Sequence, residues 1–175
     1  MKRTDRLVII GAGNIGTAIA TGLARAKFLK PAQITLCDVQ ASRLELLKAQ
    51  GFAVSTSNTS PLAMPCTVLV SVEPHHADDV LREIAPKLLP ARHELISVMA
   101  GVTIGQLRTH LGAKLPIIRV MPNTAIAIGE SMTCLASDYP DSGPIERAKA
   151  IFDTVGQTLV INEKQMTSAT ALGAC

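Results

Sequence analysis

Apolar and polar residues fall in blocks along this chain rather than singly. From residue 6, a run of four or so apolar residues repeatedly gives way to a glycine or polar turn, then to a stretch with apolar positions three and four apart. "RLVIIG" reads as a strand buried on both faces, and "NIGTAIATGLARA" as a helix with Ile15, Ile19 and Leu23 on one side. "QITLCD" is the second strand. "SRLELLKAQG" is the second helix, opening with Ser42 and Glu45 in capping-box spacing and closing with Gly51 just past its last turn. The alternation continues with strands over 67–72, 94–99, 116–120, 131–136 and 157–161, and with helices over 77–85, 103–110 and 143–154.

Strands alternating with helices of about ten residues predict an α/β fold, a doubly wound and mostly parallel sheet of the Rossmann type covered on both faces. This domain is expected over residues 1–162. In the remaining 163–175, "EKQMTSATALGAC", the residues Met166, Ala169, Thr170 and Gly173 share one helical side. They predict the first turns of a further helix with nothing yet to pack against.

Gly11-Ala12-Gly13-Asn14-Ile15-Gly16 matches G-x-G-x-x-G directly after a strand and at the opening of a helix. In that context the first glycine permits a tight turn, the second lets backbone approach a pyrophosphate, and the third lets helix and strand pack closely. The free amides and positive end of the helix would hold the phosphates. Such sites also place an acid at the end of the second strand, where it receives a ribose 2′-hydroxyl. Asp38 stands there, 22 residues after Gly16. A carboxylate at that point repels a 2′-phosphate, so NAD(H) is the expected cofactor and NADP(H) the alternative, with Arg43 five residues on as a cation able to screen a phosphate.

Composition narrows the field. With 47% hydrophobic and 18% charged residues the chain should fold. Its 17 basic and 14 acidic residues are interspersed, and one Tyr, three Phe and no Trp offer little for stacking on bases, which argues against nucleic acid. The basic start "MKR" precedes an apolar run that meets glycine after four residues, unlike a signal peptide, and no stretch approaches the ~18 apolar residues of a membrane span. A cytoplasmic location is the simplest expectation. Cys37, Cys66, Cys134 and Cys175 lie far apart without metal-ligand spacing, so neither metal nor disulfide is expected.

Four further stretches follow in order: "SVEPHH" (71–76), "ISVMAGVTI" (96–104), "RVMPNTA" (119–125) and "TSATALGAC" (167–175). With the glycine motif they make the whole chain similar to pyrroline-5-carboxylate reductase, the last enzyme of proline synthesis. The resemblance implies an N-terminal dinucleotide-binding domain followed by an all-helical dimerisation domain that completes the site. It implies that this chain holds the first and only the start of the second, with "TALGAC" as a truncation point and the full-length protein a homo-oligomer. It also implies a small imine as substrate, Asn58 as an adenosine-side contact, Ser71, Val72, Glu73 and Pro74 along the cofactor, and Val98, Met99 and Ala100 beside the nicotinamide. Met121, Pro122, Asn123 and Thr124 would edge the substrate site.

The chain departs from that family at Glu73, where lysine is usual, at Asp38 in place of a small hydroxyl residue, at Thr167 in place of aspartate, and in "ALGAC". A related imine or keto-acid reductase, or a non-catalytic nucleotide-binding module, are the alternative readings. No catalytic residue is assigned. His75 and His76 read as helix-start residues facing solvent, Arg119 is the nearest cation for a substrate carboxylate, and Tyr139 has no lysine four residues on. No G-x-S-x-G or G-K-[ST] is present.

Overall fold

All four residues of β1 (Leu7–Ile10) are buried because this strand lies inside a sheet with helices on both faces. The computed structural model describes residues 6–139 and 141–173; the basic start of the chain and Cys175 lie outside them. The other strands are β2 (Ile34–Cys37), β3 (Ala53–Ser55), β4 (Cys66–Val70), β5 (His93–Ser97), β6 (Ile117–Met121), β7 (Ser131–Ser137) and β8 (Gly156–Val160). They form one sheet in the order β3-β2-β1-β4-β5-β6-β7-β8.

Every pairing is parallel except β6 with β7. Only residues 122–130 join those two strands, which is too short for a crossover, so the chain turns back beside itself. The β7–β8 connection contains a helix and restores the parallel sense. Successive strand residues feed opposite cores. Leu7, Ile9, Leu36, Leu69 and Ile96 pack under α1 (Asn14–Arg25), α2 (Ala41–Ala49) and α5 (Gly143–Phe152). Val8, Ile10, Val68, Val70 and Leu95 pack under α3 (Ala77–Ile84) and α4 (Ile104–Leu111). Each such side chain, fully buried, is worth about 1.5–3 kcal/mol, which is why these runs contain so few polar positions.

The expected strands and helices are present, and the sheet is doubly wound and mostly parallel as the alternation implied. Three details differ. β3 has only three half-buried residues and no apolar run to signal it. The capping box expected of Ser42 and Glu45 does not form: α2 begins earlier, after Gln40, and has no side-chain cap. The reason is Asp38, whose Oδ1 accepts the Gln40 N–H at 2.9 Å and turns the chain before Ser42 is reached. The tail helix α6 (Met166–Gly173) does find a partner, since Met166 is fully buried and α6 packs on β7. Gly51 does sit past the end of α2, with φ +89°.

No helix among the described residues is long and apolar enough to cross a membrane. Cys37, Cys66 and Cys134 are free thiols. Burial pushes Cys37 up to about 12 and Cys66 up to about 11, so both stay protonated and unreactive near neutrality. No metal-binding group of His, Cys, Asp or Glu occurs among the described residues.

Candidate functional site

The chain winds outward in opposite directions from β1, to β2 on one side and to β4 on the other, and this leaves a crevice at the carboxyl ends of β1 and β4. Gly11 closes it from below. Its N–H donates to Cys37 O at 2.8 Å, and its φ of +100° is one that L side chains rarely adopt. A Cβ there would also lie 2.8 Å from the Ser71 carbonyl oxygen. Ser71 is bonded back to the same turn, donating its N–H to Ile10 O and its hydroxyl to Gly11 O, both at 2.8 Å. At Gly16 a Cβ would overlap the Gly11 carbonyl, so this glycine lets α1 close on the turn.

Gly13 differs from its neighbours. It is the N-cap of α1, its φ of −75° suits any residue, and nothing in the protein lies within 4 Å of an added Cβ. The helix start above it has no side-chain cap and no acidic residue in its first turn. Asn14 and Ile15, at this uncapped start, line open space, and the free amides of a helix start are the groups that can receive a phosphate.

Asp38, directly after β2, is held beside this turn. Oδ2 accepts the Ala12 N–H at 3.0 Å, Oδ1 accepts Gln40 N–H, and Arg43 Nη1 lies 3.5 Å from Oδ2. The side chain is 8% exposed and that of Arg43 48%. A buried carboxylate with two amide donors and a guanidinium is well compensated.

Two clefts meet at Gly13, Arg43, Ser71, Val72 and Glu73. One, of about 430 Å³, extends over β2 and is lined by Gly11, Asp38, Asn58, His76, Asp79 and Glu83 among others. The other, of about 1070 Å³, extends towards β5 and β6, past Ala12, Asn14, Ile15, Pro74, Val98, Ala100 and Thr124. The structure thus brings together most of the residues expected from sequence. Gly16 acts beneath the site through packing. Met99 is 3% exposed and belongs to the core under α4. Met121 and Pro122 line neither cleft, and the Asn123 side chain caps the next turn by accepting the Ala125 N–H at 3.2 Å.

Arg119 is 5% exposed and pairs with Glu163 at 3.3 Å, and the same Glu163 oxygen accepts the Ile104 N–H at 2.6 Å. It ties β6 to the start of α4 and does not reach the crevice. His75 and His76 occupy the turn before α3, exposed, with ring centres 4.0 Å apart, and His75 lies 3.5 Å from Glu73. Sequence reasoning missed the α3 wall of the β2-side cleft, His76, Asp79, Val80 and Glu83. Their i, i+3, i+4, i+7 spacing was the signal, one helical stripe that is polar at three of four positions.

The family model described as NADP oxidoreductase coenzyme F420-dependent matches residues 6–101. Pyrroline-5-carboxylate reductase 1 of Dictyostelium discoideum is 40% identical over 188 aligned residues, covering 100% of this chain and 34% of that protein. Pyrroline-5-carboxylate reductase 2 of the same organism is 34% identical and covers 100% of this chain and 64% of its own length. A Plasmodium falciparum pyrroline carboxylate reductase, solved with NADP bound, superposes with TM-score 0.84 at 30% identity, covering 96% of this chain and 62% of its own. The chain therefore spans roughly a third to two thirds of the length of the relatives it matches.

Proposed function

The chain belongs to the family described as NADP oxidoreductase coenzyme F420-dependent, and on that premise we propose that it is the dinucleotide-binding part of a pyrroline-5-carboxylate reductase, forming proline by reduction of a cyclic C=N bond. The observation that carries this reading is Gly13: a glycine with ordinary backbone angles and open space above it, at an uncapped helix start, has no structural reason to lack a side chain. Close approach of a pyrophosphate supplies that reason. The reduced nicotinamide would supply the hydride to the imine carbon, and the C=N π pair would pass to the already protonated nitrogen, which stays bonded in the ring as the amine of proline.

The protein's part is binding and orientation. Gly11 to Gly16 hold the phosphates, with Ser71 fastening the turn from beneath. Val72, Val98 and Ala100 provide an apolar wall for the reacting ring, and Thr124, Ile126 and Ala127 close the far side of the same cleft against water. That cleft offers no histidine, and a pyrroline imine basic enough to arrive protonated needs none. In this reading the whole protein is a homo-oligomer whose helical part completes the substrate site.

The cofactor we assign is NAD(H). Asp38 and the acidic α3 wall face the place where a 2′-phosphate would have to sit, and among the described residues Arg43 is the one Lys or Arg lining either cleft. Fluorescence titration of the chain with NADH and NADPH tests this, with NADH expected to bind more tightly. Asp38→Ser cannot span Ala12 and Gln40 with two oxygens and is expected to weaken NADH binding about tenfold, the order of one charge-assisted hydrogen bond. A strong preference for NADPH overturns the cofactor assignment, and failure to bind either dinucleotide overturns the function.

A further inference from the structure

Asp38 is the expected selector of the adenosine sugar, yet its charge is largely answered within the protein by Ala12 N–H, Gln40 N–H and Arg43. The opposite wall of the same cleft is different. Glu83, near the end of α3, takes part in none of the ion pairs formed among the described residues. Its wall neighbours each have a basic residue nearby: Asp79 lies 3.9 Å from Arg82, and Glu73 3.5 Å from the His75 ring.

What Glu83 does have is a fixed direction. Its Oε2 accepts the side-chain N–H of Asn58 at 2.7 Å, joining α3 to the loop after β3 across the cleft. The floor registers both acids, because the Cys37 thiol, raised first by burial, is raised further by Cys66, by Glu83 and by Asp38. Two carboxylates therefore look into one small cleft from opposite sides, one neutralised and one not.

We propose that Glu83 is a second specificity-determining residue, whose uncompensated carboxylate, tethered by Asn58, reserves this cleft for the adenosine of NAD(H) and turns away a 2′-phosphate. The proposal rests on the reading that the crevice holds a dinucleotide with its adenosine on the β2 side. Within that reading it moves the main electrostatic barrier from Asp38, where the fold would place it, to a helix the glycine motif does not include. Arg43, already shared with Asp38, would have to leave it to serve a phosphate, and Glu83 would still oppose the incoming charge at close range.

Dissociation constants of NADH and NADPH, measured for the 175-residue chain and two variants, decide the matter. Glu83→Gln keeps an oxygen that can accept from Asn58 and removes only the charge. It should raise the affinity for NADPH relative to NADH about tenfold at low salt, with the gain shrinking as ionic strength rises, as expected for an interaction inside the screening length. Glu83→Lys should shift the ratio further in the same direction. A wild type that binds NADH while both variants keep its NADPH-to-NADH ratio overturns this inference and leaves the functional reading standing. A wild type that binds neither dinucleotide overturns both.

Discussion

Gly13 and Gly16 stand three residues apart and are glycine for opposite reasons. At Gly16 a methyl group would overlap the Gly11 carbonyl, so the residue serves the protein's own packing. At Gly13 a methyl group would meet nothing within 4 Å, and the backbone angles are ordinary, so under the proposed function the residue serves the bound dinucleotide. Gly13→Ala is accordingly expected to melt within about 0.5 kcal/mol of wild type, as surface substitutions usually do, while losing most of its affinity for NADH. Gly16→Ala should lose stability itself, by about 1–3 kcal/mol for an overpacked site. Thermal denaturation beside a binding titration separates the two, and a Gly13→Ala chain that binds NADH normally would remove the ligand from the explanation. The motif's spacing made all three glycines and their division of roles legible in the sequence; what it could not show is that Ser71, sixty residues from Gly11, is the residue that crowds both Gly11 and Gly16.

Among the elements, those carried by long apolar periods were legible and those set by distant partners were not. β3 is three residues at the sheet edge, ordered by pairing with β2 and not by hydrophobicity of its own. Ser42 and Glu45 have the spacing of a cap, yet the start of α2 is decided by the Gln40 N–H bond to Asp38, a residue that lines the crevice. α4 shows the same dependence on remote contacts. Thr103 and Gln106 cap its start reciprocally, whereas its end is held by Arg108, which donates Nε and Nη2 to the two oxygens of Asp138 and Nη1 to the carbonyls of Gly112 and Leu115. These bonds tie the helix to the start of β6 and the end of β7. Arg108→Ala should destabilise the fold by about 1.5–3 kcal/mol, the range for hydrogen bonds to a charged group. The guanidinium, through its hydrogen bonds, holds the Asp138 carboxyl below its ordinary range. A carboxyl depressed in the folded state binds fewer protons there than in the unfolded chain. Its contribution is thus complete above the usual carboxylate range and is lost as pH falls through the folded value. Urea midpoints measured between pH 6 and pH 3 should fall less steeply for Arg108→Ala than for wild type; equal slopes would mean that Asp138 owes nothing to Arg108.

At the scale of the molecule, everything expected to touch a ligand follows the carboxyl end of a strand, as the sequence order implied, while the ion pairs that brace the sheet lie elsewhere. Glu94, 3% exposed at the start of β5, receives Arg147 from α5 and the hydroxyl of Thr67, and Arg119 is taken by Glu163. Arg119 shows where sequence reading stops: a cation on a strand pointing towards the site end reads as a candidate for a substrate carboxylate, and only its register shows that it faces α4. With it removed, Arg43 is, among the described residues, the one Lys or Arg lining either cleft, and it is already engaged by Asp38. A small imino acid would meet an apolar wall, a turn that the proposed function gives to the cofactor's phosphates, and no free cation among the described residues, so its carboxylate would give up hydration for nothing in return. The 175-residue chain is therefore expected to bind NADH saturably yet show no saturable heat with proline or pyrroline-5-carboxylate, alone or after NADH, and to turn over far more slowly than a chain extended to the length of its relatives. Calorimetry with each ligand in both orders makes the test, and saturable binding of proline to the NADH-loaded chain would place the carboxylate anchor among residues 1–175 after all.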